Sequence, residues 1–235
     1  MPILRDSYSG CLHRIRAVAT VCSAASIACA ILCVASPAHA DLDFQVSGTA
    51  GVSWLRSMPA LKSPETLTSA RQVPDGKIPS GGSLFALGGA FDMGVTVDDR
   101  WIVPVLGFAG YGAIGSYDTV VTSIDGSIAR VHPWTSYQVD VLLPGIGYRV
   151  KRRRFMFVAT IRSGFSYFGA SGVVSGGALT TPFSASDISP LVQAELEACR
   201  RLDPLTRVCL HVAPRIYDFG FLNGATFGLR VEWGR

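Results

Sequence analysis

Charge is scarce in this chain, and lysine scarcer still. Of 235 residues only 16% are charged, against about 25% in ordinary soluble domains. Lysine occurs only at Lys62, Lys77 and Lys151. A surface wetted on all sides normally carries more. Helical periodicity is nearly missing, which argues against a helix bundle or an α/β fold. Beyond residue 40 no stretch offers the ~18 uninterrupted apolar residues of a membrane helix. The net charge of +4 is too small for a nucleic-acid footprint. What the chain does have is 49% hydrophobic residues and 25 glycines, a composition that suits an all-β or lipid-tolerant protein and not a disordered one.

The first 40 residues stand apart. Arg5, Arg14 and Arg16 form a basic opening, residues 17–35 are apolar and small, and Ser36-Pro37 leads to Ala38-His39-Ala40. That is the layout of a cleaved secretory signal peptide, so residues 1–40 are expected to be removed and 41–235 to form the mature domain. The alternative is an uncleaved anchor. A lipoprotein fits less well, because Ser26-Ile27-Ala28 before Cys29 is a poor lipobox. Removal takes three basic residues and one acidic residue, which leaves a net charge of +2. It also takes Cys11, Cys22, Cys29 and Cys33, which leaves Cys199 and Cys209 in an oxidising compartment.

The mature chain alternates. In the first run Phe44, Val46, Gly48, Ala50, Val52 and Trp54 share one face, and Gln45, Ser47, Thr49 and Ser53 the other. Residues 56–82 read as a long polar loop. In the second run Phe85, Leu87, Phe91, Met93, Val95 and Val97 oppose Gly88, Asp92, Gly94 and Thr96, and Asp98-Asp99-Arg100 is a tight turn. The third run, from Trp101, alternates poorly, since Ile102, Leu106 and Phe108 sit on the supposed polar face. Asp125-Gly126 favours a tight hairpin turn, so the third and fourth runs are expected to extend as one tall hairpin. In the fourth run Tyr137, Val139, Val141 and Leu143 oppose Gln138 and Asp140. Parity then shifts at Pro144-Gly145 before Ile146, Tyr148 and Val150, the mark of a bulge. After Lys151–Arg154, Phe155, Phe157, Ala159, Ile161, Phe165 and Tyr167 oppose Thr160, Arg162, Gly164 and Ser166. Residues 169–186 read as a Gly/Ser/Thr-rich loop. The sixth run sets Ile188, Val192, Ala194, Leu196 and Ala198 against Gln193, Glu195 and Glu197. The seventh sets Val208, Leu210 and Val212 against His211 and Arg215, and the eighth sets Phe227, Leu229, Val231 and Trp233 against Thr226, Gly228, Arg230 and Glu232.

Alternation alone does not say which face is inside. Four features favour apolar faces outward in lipid. The runs are about 9–14 residues, matching a tilted membrane strand and exceeding the usual 5–6. The polar face is small, with scattered charges of both signs. The tryptophans lie at expected strand ends, with Trp54 and Trp134 near long connections and Trp101 and Trp233 at the opposite side, as interface aromatics do. The chain also ends inside its last run, as a barrel that pairs its final strand with its first requires. The expected fold is all-β: a closed antiparallel up-and-down transmembrane β-barrel of eight strands.

The end of the chain, Thr226-x-Gly228-x-x-Val231-x-Trp233, resembles the C-terminal assembly signal of bacterial outer-membrane barrels, with Gly234 and Arg235 added beyond the usual aromatic terminus. With the leader and the eight runs, the whole mature chain is similar to small outer-membrane barrels of the outer-membrane protein A and X type. The resemblance implies residence in the outer membrane of a Gram-negative-type envelope. It also implies periplasmic chaperones and the barrel assembly machinery as partners, outer-membrane lipids as surroundings, periplasmic short turns and external long loops.

Cys199 and Cys209 flank a turn centred on Pro204, so they are expected to face each other in a hairpin and pair as a disulfide, with two thiols as the alternative. The same register sets Glu197 opposite His211 and Gln193 opposite Arg215. The inward charges Asp92, Asp140, Arg162, Glu195, Glu197, His211, Arg215, Arg230 and Glu232 are expected to pair as a lumen network. No catalytic group is singled out: Glu197 and His211 lack a neighbouring nucleophile, and His211 is followed by Val212 and Ala213, not by a serine two positions on. His132-Pro133-Trp134-Thr135-Ser136, near a rim, is the other place to look. Two cysteines and one histidine make a poor metal set, and no cofactor is called for. Lys151–Arg154 is a solvated turn or a headgroup-binding one. Gly88, Gly94 and Gly164 either widen the lumen or permit coiling. Four functions stay open: a plugged structural, adhesion or surface-loop binding barrel; a narrow porin-like channel; a rim-located lipid A-modifying enzyme; and a soluble lipocalin-like binder with the faces inverted.

Overall fold

The computed structural model describes residues 42–56, 61–62, 77–78, 83–97, 99–114, 119–122, 128–153, 155–176, 179–218 and 222–234. The leader at 1–40, Asp98, the Asp125-Gly126 turn, Arg154 and most of the 56–82 connection lie outside them. Among the described residues eleven strands are formed: β1 Leu42–Leu55, β2 Leu61–Lys62, β3 Lys77–Ile78, β4 Leu84–Val97, β5 Trp101–Ile114, β6 Thr119–Thr122, β7 Ile128–Arg152, β8 Phe155–Gly176, β9 Leu179–Arg201, β10 Thr206–Tyr217 and β11 Leu222–Gly234. Eight of them close a ring in the order β1, β4, β5, β7, β8, β9, β10, β11 and back to β1, every pair antiparallel. Each ring strand therefore pairs on both sides, which removes the exposed edge that an open sheet would present.

The faces fall as a membrane barrel requires. Phe44, Phe85, Phe157, Ile161, Leu196, Leu210 and Leu229 are exposed on the outside, and Ser47, Asp92, Asp140, Arg162, Glu195 and Arg230 are buried inside. A soluble binder needs the reverse, so that reading is set aside. The outward belt on β8 runs from Phe155 to Tyr167. At ~3.3 Å per residue and a tilt of ~40°, it projects to roughly 30 Å, the thickness of a hydrocarbon layer.

Two register shifts account for the broken alternation. Met93 pairs with Leu106 but Gly94 with Pro104, so Val105 is an extra residue. Parity flips there, which lets Ile102 point inward and Phe108 outward. On β7, Leu142 pairs with Gly164 and Gly145 with Arg162, so the bulge lies at Leu143-Pro144. A further shift at Pro133/Thr135 leaves Trp134 unpaired within β7, where it is exposed. Trp134 thus sits inside a strand and not at its end.

The largest correction concerns length. β7, β8 and β9 have 25, 22 and 23 residues, well beyond the expected 9–14. The expected loop at 169–186 is strand on both sides of residues 177–178, with Ala170 opposite Ala185 and Gly176 opposite Leu179. β6 pairs with the start of β7, Thr122 opposite Ile128, so β7 too extends past the belt. The tall sheet carries its own core: Ala129, Val131, Phe168, Ala170, Val174, Phe183 and Ala185 pack together with Leu61 of β2. β2 reaches it, Lys62 pairing with Ser186 of β9.

Candidate functional site

Within the belt the inward positions form two ionic clusters. The lower one turns on Arg230 of β11. Its Nε donates to Ser47 Oγ at 2.7 Å and its Nη2 to Asp92 Oδ2 at 2.9 Å. Its Nη1 donates to both Glu195 Oε1 and Glu197 Oε1. Arg162 of β8 lies 2.7 Å from the other oxygen of Asp92 and 3.6 Å from Glu195 Oε2. His211 Nδ1 is 2.9 Å from Glu195 Oε1 and 3.4 Å from Glu197 Oε1. One guanidinium thus ties β1, β4, β9 and β11 together across the lumen.

The upper cluster turns on Asp140 of β7, which is fully buried. It accepts from Arg215 Nη1 at 2.5 Å, Ser166 Oγ at 2.5 Å and Gln138 Nε2 at 2.8 Å. Arg215 Nε donates to Gln193 Oε1 at 2.8 Å, and its guanidinium lies 5.4 Å from the centroid of the Tyr111 ring. Gln138 also donates to the Tyr217 hydroxyl at 2.8 Å, and accepts from Ser53 at 3.2 Å. Every lone pair used here is one that a buried ion would otherwise leave unsatisfied.

The nine charges singled out from the sequence all lie inside and buried, in two clusters bridged by Gln193, which accepts from Arg215 and donates to Glu195 Oε2 at 3.4 Å. Asp140 and Arg215 stand in the upper cluster. Glu232 faces Arg207, at 3.4 Å, near the short-turn end. The neutral partners Tyr111, Gln138, Ser166 and Tyr217 were missed as site members, as was Arg207. Gln138 and Ser166 carried a usable signal, since they share a face with Asp140 and Arg162. Tyr111 did not, because the bulge at Val105 hides its parity. Glu195, Glu197 and His211 sit close enough to suggest a metal set, but Arg230 donates to both carboxylates, and a dication does not fit beside it.

Above and below the two clusters, apolar side chains pack inside the barrel. Leu55, Leu84, Leu142, Leu191 and Tyr217 continue the core of the tall sheet downward. At the short-turn end Ile102, Met156 and Val158 pack with Cys199 and Cys209, which form a disulfide between directly opposed positions of β9 and β10. Beside the lower cluster lies a chamber of about 30 Å³, lined by Gln45, Asp92, Thr160, Arg162 and Glu232 among others. That is room for about two or three water molecules. A Cβ on Gly88 would stand 1.9 Å from the Gly110 carbonyl oxygen, and one on Gly164 2.2 Å from that of Val141. These two glycines therefore serve close backbone approach. Of the assembly-signal positions, Thr226 is buried inside, and Trp233 is exposed on the outside.

The short-turn rim has its own pairs. Asp99 Oδ1 accepts from Lys151 Nζ at 2.6 Å and from Arg149 Nη2 at 3.3 Å. The Lys151 hydrogen bond holds the Asp99 carboxyl below its ordinary value, and the charge of Arg149 helps. Trp101 packs edge-on against Tyr148, with ring centroids 5.1 Å apart. At the other margin of the belt Tyr137 and Tyr167 stand 5.9 Å apart. Trp54 is half-buried near that margin, and Trp134 lies just beyond it.

A closed eight-stranded antiparallel barrel, apolar outside and ionic inside, is a transmembrane β-barrel. Among solved structures the chain is similar to Ail, the attachment invasion locus protein of Yersinia pestis, in complex with the heparin analogue sucrose octasulfate, with 14% identity over 83% of this chain and 99% of that one and a TM-score of 0.46. It is also similar to Neisserial surface protein A, with 9% identity over 83% of this chain and 98% of that one and a TM-score of 0.48. No family model matches the chain, and no curated protein does so.

Proposed function

We propose that this is an integral outer-membrane protein, exported by a leader cut after Ala40, with its lumen held shut. Its role is then structural, or one of adhesion or surface binding carried by the tall sheet and long connections. The inward side chains packed along the axis are the observation that supports this reading. A protein that moves solute needs a path, and along this axis stand an apolar cap, the Asp140–Arg215 cluster, the Arg230 cluster and the disulfide floor. Enzyme action on lipid has no support of that kind, since the belt-level polar groups face inward, away from lipid. In this reading Thr226, Gly228, Val231 and Trp233 address the chain to periplasmic chaperones and the assembly machinery, and Trp54, Trp101, Trp134 and Trp233 mark the two interfaces.

Folded and boiled samples are expected to migrate differently on gels, and the folded form to require detergent or lipid. In planar bilayers the protein is expected to give no steady conductance. A steady conductance that is abolished by enlarging an inward side chain would replace the plug by a narrow channel. A changed lipid A mass spectrum on expression, lost in His211→Ala, would replace it by an enzyme.

A further inference from the structure

The cations at the short-turn rim divide into two sets. Lys151 and Arg149 are tied to Asp99. Arg201 donates to the Asp203 and Pro204 carbonyls, and Arg207 faces Glu232. Arg100, Arg152, Arg153 and Arg200 are exposed and meet no acidic side chain among the described residues, and of these Arg152 and Arg200 lie on the outward face of the ring strands β7 and β9. They lie in one row, flanking Phe155 on the neighbouring strand: Arg152 opposite Phe155, and Phe155 opposite Arg200. Two strand spacings put their backbones roughly 10 Å apart, so two long side chains can converge on one anion between them.

Directly above this row the outer wall is hollowed. Tyr148 and Val150 stand on one side and Leu210 and Val212 on the other, with Phe157 and Leu196 and the small Ala159 and Ala198 between them, leaving an open apolar depression of about 520 Å³ in which the two alanines are the low points. The depression lies within the belt, where alkyl chains run along the wall. Arginine is suited to the junction, because its stem lies on apolar surface while its planar fork binds phosphate bidentately.

We propose that Arg152, Arg200 and the depression above them form a lateral site for one acidic phospholipid of the leaflet at the short-turn end. Its phosphate lies between the two guanidiniums, and an acyl chain lies against Ala159 and Ala198. A zwitterionic lipid fills the same groove but brings a cation with its phosphate, so the pair of arginines selects for net negative headgroups. The site rests on the membrane reading above.

The test uses the full folded barrel, purified in detergent and exposed to mixed phosphatidylglycerol and phosphatidylcholine, with retained lipid counted by native mass spectrometry. Wild type is expected to retain phosphatidylglycerol in preference. The double variant Arg152→Gln, Arg200→Gln is expected to lose about tenfold of that preference, while Arg130→Gln at the opposite end keeps it. An unchanged preference in the double variant overturns the proposal. So does displacement of the lipid by equimolar inorganic phosphate, which would make the site an anion site without a chain groove. If wild type shows neither a heat-dependent gel shift nor insertion into vesicles, the membrane reading falls as well. An inserted barrel indifferent to lipid charge sinks this site alone.

Discussion

Strand β8 passes through two regions that place their oil on opposite sides. From Phe155 to Tyr167 its outward residues are Phe155, Phe157, Ala159 and Ile161, and its inward ones include Thr160, Arg162 and Ser166. From Phe168 onward the inward residues include Phe168, Ala170 and Val174, and Ser171, Val173 and Ser175 face outward. β9 does the same: Thr180, Pro182 and Ser184 face out above the belt, and Val192, Ala194, Leu196 and Ala198 within it. The pleat never changes parity on these strands above Arg162. Only the solvent changes. Within the belt hydrocarbon bathes the exterior, so ions must hide in the lumen. Beyond it water bathes the exterior, so the sheet buries its apolar face as any soluble sheet does.

The comparison breaks most severely at Arg230. Arg230→Met leaves Asp92, Glu195 and Glu197 without their shared cation, and is expected to cost about 3–5 kcal/mol; urea titration of the vesicle-embedded protein would measure it. A belt variant with an unchanged midpoint would show that the lumen is wet enough not to need the ion. Next comes the matched pair Ile161→Arg and Ser171→Arg, both outward on β8. The first is expected to cost roughly 2–4 kcal/mol, as cations in mid-bilayer do, and the second under about 0.5 kcal/mol. Equal costs would erase the boundary drawn at Tyr167. Loss of the Cys199–Cys209 bridge through a Cys199→Ala, Cys209→Ala variant follows, at about 2–3 kcal/mol from the short loop that it closes.

The smallest effect is at the rim. Because the Asp99 carboxyl lies below its unfolded value, its contribution is present above about pH 4 and fades as the pH falls through the lowered value. The group is largely exposed, so solvent screening limits it to a few tenths of a kcal/mol. Carboxyl NMR titration would follow it, with Lys151→Gln raising the midpoint.

The reading of the sequence succeeded where contrast between faces is strong. The run from Phe227 to Trp233 announces which residues share a side, and the turn around Pro204 carries the opposition of Cys199 and Cys209 by simple symmetry. It failed at Gly169–Gly176, where glycine, alanine and serine occupy both faces and the two-residue period has no amplitude. Nor could it show that Arg230 reaches Asp92 and Glu197. Those contacts cross the lumen between strands remote in sequence, and depend on ring closure. The bulge at Leu143-Pro144, expected one residue later at Pro144-Gly145, was visible because parity shifts between two strong runs. The one at Val105 showed only as poor alternation.

Arg230 sits on the strand that completes the ring, and its four acceptors lie on β1, β4 and β9. A nascent sheet lacking that last strand would leave Glu197 facing only His211. Sealing the cylinder and completing the charge balance of its lower cluster are therefore a single event. A barrel stopped short of that strand would hold buried carboxylates short of one cation, which is unfavourable, so charge favours closure alongside backbone pairing.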